Sequence, residues 1–81
     1  MSWLIKNNKL QQEFRFESQT ELALFITKIA GYADKVGHHP DMQIYKCSRL
    51  NIEIFTHDVN ALTEKDYSLA EFIDGISIAD K

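Results

Sequence analysis

Apolar and polar positions alternate at the start of the chain. Trp3-Leu4-Ile5-Lys6 and Leu10 to Phe16 are short segments rich in strand formers, and Asn7-Asn8 between them tolerates the positive φ angles of a tight turn. An antiparallel hairpin is predicted. In its second strand Phe14 and Phe16 share one face while Glu13 and Arg15 share the other, the period of two expected of a half-buried strand. The period then changes. Leu22, Phe25, Ile26, Ile29, Ala30, Ala33 and Val36 recur at steps of three and four, which predicts a helix. Ser18 and Glu21 have capping-box spacing at its start, Gly37 suits a left-handed end, and Gly31 weakens the last turns. Ile44 to Phe55 reads as a third strand, with Leu50, Ile52 and Ile54 alternating with Asn51, Glu53 and Phe55. Thr63 and Asp66 repeat the capping spacing, Leu62 can staple onto Tyr67, and a second helix follows that buries Leu69, Ala70, Ile73 and Ile76. The predicted fold class is α+β: an antiparallel sheet with helices packed on one face, in the order strand-strand-helix-strand-helix.

With 81 residues, the chain has room for one domain, spanning 1–81. A domain so small buries little surface, so self-association is a natural supplement to its stability. The net charge is −3 and the 9 lysines and arginines are scattered singly, so direct binding to nucleic acid is not expected. No apolar run is long enough to span a bilayer, and Met1 to Asn8 lacks a basic region followed by a long apolar stretch. A cytoplasmic protein with no membrane partner is expected. The single cysteine, Cys47, cannot close an intramolecular disulfide and excludes a multi-cysteine zinc site. It reads as a packing residue.

The candidate chemistry lies in the histidines. His38 and His39 fall in the turn after the first helix and His57 at the end of the third strand, two loop edges that can converge on one rim of an α+β layer. Imidazole exchanges protons in both directions near neutral pH. Asp34 lies one helical turn before His38, and Asp66 opens the second helix; either can hold a ring nitrogen and fix its tautomer. Pro40 restrains the residue before it and stiffens the histidine pair. Two other readings compete. Histidines in exposed turns are often solvated and idle, and three histidines with an aspartate are a conceivable zinc set. Adjacent histidines rarely direct both rings to one ion, however, and neither a His-x-x-x-His nor a His-x-His spacing occurs. Phe55 falls on the face opposite Leu50, Ile52 and Ile54, where it can flank a planar ligand or an oligomer interface.

The run Asp34-x-x-x-His38-His39-Pro40, then Thr56-His57-Asp58, then Leu62-Thr63-Glu64-Lys65-Asp66 with Leu69-Ala70, resembles the pterin-4a-carbinolamine dehydratases. The likeness extends from about Trp3 to Ile76. It departs from the family pattern at Met42 and Ser48, and the stretch between Pro40 and His57 is about one residue shorter, which suggests a bulged or re-registered start of the third strand.

This resemblance implies a hydro-lyase that removes water from a 4a-hydroxytetrahydropterin to give a quinonoid dihydropterin, in the recycling of a pterin cofactor. The pterin is then the substrate, with no further cofactor and no metal. His38 and His57 are implied as the acid-base pair, with His39 binding the pterin and assisting the leaving group. Asp34 and Asp66 would orient the rings. The main chain around Thr56, with Asp58, would hold the pterin's amide edge. Members of the family form dimers or tetramers, so a homodimer or homotetramer is expected. The alternative is a non-catalytic dimerisation or assembly partner of the same fold.

Overall fold

The computed structural model describes residues 3–76. The chain forms β1 (Leu4–Lys6), β2 (Lys9–Arg15), α1 (Gln19–Val36), β3 (Asp41–Tyr45), β4 (Arg49–Ile54) and α2 (Glu64–Asp74). The strands make one antiparallel sheet in the order β1-β2-β4-β3. The α+β class and the order in which strand regions and helices follow one another are those expected from the sequence, with the third strand region divided into β3 and β4.

Local chemistry sets most boundaries. Asn7 and Asn8 take φ of 54° and 64°, the left-handed pair of a two-residue hairpin. Ser18 Oγ accepts the Glu21 amide at 3.1 Å and starts α1, while Gly37 closes it at φ 71° with its N–H on the Ala33 carbonyl. The helix runs unbroken through Gly31, although Val36 in its last turn is 48% exposed. At α2 the capping box is complete between Thr63 and Asp66.

One expectation is corrected. The segment Ile44 to Phe55 is not a single strand: the chain reverses at Lys46–Ser48, and β3 pairs with β4 from Asp41↔Glu53 to Tyr45↔Arg49 without a bulge. Lys46 and Cys47 both adopt positive φ, which residues bearing a Cβ do uncommonly, and nothing in their identity announces a turn. The Phe16 amide donates to the Ser48 carbonyl and ties this hairpin to the end of β2. Cys47 is therefore exposed on a turn instead of packed.

Register puts Leu10 opposite Ile54 and Phe14 opposite Leu50, so the apolar side chains of β2 and β4 emerge on one face. Both helices cover that face. Leu22, Phe25, Ile29 and Ala33 of α1 and Leu69, Ala70 and Ile73 of α2 complete the buried core. Each fully buried leucine or isoleucine contributes about 1.5–3 kcal/mol, enough to fix the helices against the sheet. Trp3, Phe14, Phe25 and Phe16 continue the core as a chain of ring contacts, and the Trp3 indole donates to Asp74 at 3.0 Å. No helix among the described residues is long and apolar enough to cross a membrane. This frame brings the C-terminal end of α1, the end of β4 and the first turn of α2 to one rim.

Candidate functional site

Asp66 is the hub of that rim. The capping box turns its carboxylate back toward the start of α2, where it is fully buried. Oδ2 accepts the Thr63 amide at 2.8 Å, the Thr56 hydroxyl at 2.8 Å and the Thr63 hydroxyl at 3.3 Å. Oδ1 meets His38 Nε2 at 2.7 Å. Burial pushes this carboxyl's pKa up, but the hydrogen bonds from His38, the Thr63 amide and the Thr56 hydroxyl, with the attraction of His38, outweigh it. The pKa falls below the ordinary carboxyl value, and Asp66 is ionised at neutral pH.

An ionised carboxylate only accepts, so neutral His38 must donate Nε2–H to it and carry its lone pair on Nδ1. The orientation comes from the helix end. The amides of Gly37 and His38 both donate to the Ala33 carbonyl, a turn that sends the His38 side chain toward α2. Only 13% of that side chain remains exposed. A cleft of about 280 Å³ opens beside it, lined by Tyr32, Val36, His38, Glu64, Lys65 and Ser68.

His39 takes the other direction. Its Nε2 meets Asp34 Oδ1 at 2.7 Å, on the surface, so that the adjacent imidazoles are parted onto carboxylates of different helices. Such an exposed pair orients a ring more than it stabilises the fold. Pro40, half-buried, leads from this pair into β3.

Thr56 is buried beyond the end of β4. Its amide and carbonyl pair with Ala61, and its hydroxyl is held by Asp66 and Thr63. The main chain then turns through His57, Asp58, Val59 and Asn60, closed by the Asn60 amide on the His57 carbonyl at 3.2 Å. His57 and Asp58 are exposed on this turn. The His57 ring packs on Phe55, centroids 4.3 Å apart and tilted 49°.

Sequence reasoning located both aspartates beside rings, and the structure separates their tasks: Asp66 holds His38 and Asp34 holds His39. Neither holds His57. One carboxylate nevertheless ties His38 to Thr56, the residue before His57. Thr63 was not singled out as part of the site, although its capping spacing to Asp66 is the signal that would have found it. The ring contact between Phe55 and His57 had no such signal, because it arises where the strand ends. Among the described residues no group of three or more His, Cys, Asp or Glu side chains is disposed to hold a metal ion.

The structure is thus a sheet covered on one face by two helices, with a carboxylate-held histidine where the helices meet and a second held at the surface by Asp34 of α1. The family model described as pterin 4 alpha carbinolamine dehydratase matches residues 1–76, and the chain belongs to that family. A protein of Sulfolobus acidocaldarius, provisionally named pterin-4-alpha-carbinolamine dehydratase, is 40% identical over 74 residues, covering 91% of this chain and 80% of the relative. A relative of the same provisional name from Prochlorococcus marinus is 42% identical, covering 90% and 76%. Among solved structures, a transcriptional coactivator/pterin dehydratase from Brucella melitensis superposes with a TM-score of 0.86 at 26% identity, covering 95% of this chain and 81% of that one. A pterin dehydratase-like protein described as a RuBisCO assembly factor of the alpha-carboxysome shares the fold at 22% identity, with a TM-score of 0.71.

Proposed function

We propose that this protein dehydrates a 4a-hydroxytetrahydropterin to the quinonoid dihydropterin, the step that returns an oxidised pterin cofactor to a reducible form. Family membership supports the reaction class. The observation that carries the assignment of residues is the His38–Asp66 hydrogen bond, which leaves Nδ1 of a half-buried imidazole as a proton acceptor.

The elimination needs one base and one acid. His38 Nδ1 takes the N5 proton of the carbinolamine, the N5 electron pair forms the N5=C4a double bond, and the C4a–O bond breaks. His57, in its imidazolium form, protonates the departing hydroxyl so that it leaves as water. The developing imidazolium at His38 is stabilised by the buried Asp66 carboxylate. His39, steadied by Asp34, binds the pterin and assists the leaving group. Thr56 supports the site from within, its own main-chain groups being paired with Ala61. The exposed turn that follows it, with Asp58, is the segment offered to the pterin's amide edge.

The reaction transfers protons and changes no oxidation state, so the pterin is the substrate and no separate cofactor or metal is required. We place the activity in the cytoplasm, where an exposed free thiol such as Cys47 persists. The test is to generate the carbinolamine enzymatically and follow its decay with and without the protein. Acceleration over spontaneous water loss supports the reading. No acceleration would remove it and favour a non-catalytic assembly partner of the same fold.

A further inference from the structure

Phe55 stands where neither the core nor the carboxylate network uses it. It follows β4, opposite in parity to the buried Ile54 and Thr56, and is half-buried on the outer side of the sheet. Two groups meet its ring. His57, two residues on, packs against it with centroids 4.3 Å apart. Lys9, at the start of β2, holds its ammonium 4.8 Å from the ring centroid and reaches Glu53 at 3.6 Å. Glu53, Lys9, Phe55 and His57 thus form a continuous series, anchored at one end in the paired strands β2 and β4.

His38 and His39 each have a carboxylate to set their orientation, whereas His57 lies on an exposed turn and among the described residues its ring makes no hydrogen bond or ion pair. An imidazole on such a turn is free to sample several rotamers, and a proton donor must be held close to its target to be effective. We infer that Phe55 is the positioning residue of His57, holding the imidazole by ring contact where the other histidines are held by carboxylates, and that Lys9 in turn fixes the Phe55 ring from β2. Because the ammonium of Lys9 already occupies a face of Phe55, the ring serves the histidine and is not a stacking platform for the pterin. The inference rests on the role proposed for His57, but the contact itself can be examined apart from activity.

The experiment compares Phe55→Leu and Phe55→Tyr with the parent protein, all confirmed as folded by circular dichroism. The imidazole proton shifts of His57 are read by NMR, and kcat and KM are read separately. In the parent, His57 resonances should be displaced from free-imidazole positions by the Phe55 ring current. Phe55→Leu should abolish the displacement and lower kcat by about 5–10-fold, with KM changed less than about twofold, as expected for a misplaced proton donor. Phe55→Tyr should restore both. Lys9→Gln should reduce the displacement without abolishing it. Unchanged His57 shifts in Phe55→Leu would overturn the inference, as would a rise in KM at constant kcat, which would mean that the ring binds substrate. A parent protein without activity would remove the dehydratase reading while the shifts still decided the contact.

Discussion

His38 Nε2 and Asp66 Oδ1 meet at 2.7 Å across the junction between the end of α1 and the start of α2. The bond joins an imidazole with one accessible edge to a carboxylate with none. It therefore has two consequences, one for stability and one for chemistry, and they can be measured separately.

Replacing the histidines should separate structure from function. His38→Ala removes a donor from a buried carboxylate and should cost about 1–2 kcal/mol, a fall in Tm of roughly 5–15 °C. His57→Ala removes an exposed ring and should leave Tm within about 2 °C of the parent. Equal losses in thermal unfolding would contradict the asymmetry between the two sites.

Asp66→Asn should be more costly than either. An amide cannot accept on both sides, so its nitrogen must face His38 or the Thr56 and Thr63 donors, at a cost of about 2–4 kcal/mol. The pH dependence has a definite sign. Because the folded-state pKa of Asp66 lies below its ordinary value of 3.8, the group's stabilisation is fully present above that value. It is lost as the pH falls through the lower, folded-state pKa. Thermal unfolding between about pH 6 and pH 2.5 should show a shallower acid decline in Asp66→Asn than in the parent, and parallel declines would refute the linkage.

The parts of this arrangement legible in the sequence were those decided by neighbours in the chain. Asn7-Asn8, Ser18 with Glu21, Gly37, and Thr63 with Asp66 each satisfy backbone groups within a few residues, so their spacing alone located the turns and caps. The β3–β4 turn was hidden because Lys46 and Cys47 enter the left-handed region without the residues that favour it. In the site, helical spacing brought Asp34 near the histidine pair. It could not show that Asp66 would choose His38, because that depends on how the end of α1 is laid over α2. The surroundings of His57 were illegible for the same reason, since Lys9 is remote from Phe55 in sequence and is brought over its ring only through the register of β2 on β4.

Activity should survive exhaustive chelation. The Nε2 atoms of His38 and His39 are already committed to separate carboxylates, which leaves these rings poorly placed to share an ion. Dialysis against a chelator followed by the decay assay is the check, and loss of activity restored by one equivalent of zinc would reverse the conclusion.

The protein should also self-associate as a homodimer or homotetramer. β1 and β3 are the edges of the sheet, and Leu4, Ile5, Ile44 and Tyr67 are exposed large side chains. Phe72 of α2 is withdrawn from this surface by its stack on Tyr32, with ring centroids 4.0 Å apart. Sedimentation equilibrium at ~10 µM should give at least about twice the 9.4 kDa chain mass, and a clean monomer would defeat the expectation.

His38 and His57 are expected to act together on one elimination, as base and acid. A double-mutant cycle in stopped-flow dehydration, with the spontaneous rate subtracted, decides this. His38→Ala and His57→Ala should each lower kcat/KM by ~10²-fold or more, and the double mutant should be little slower than the worse single, because groups that act as a unit lose their effect together. Two losses that multiply in full, or a single mutant with the parent's rate, would contradict it.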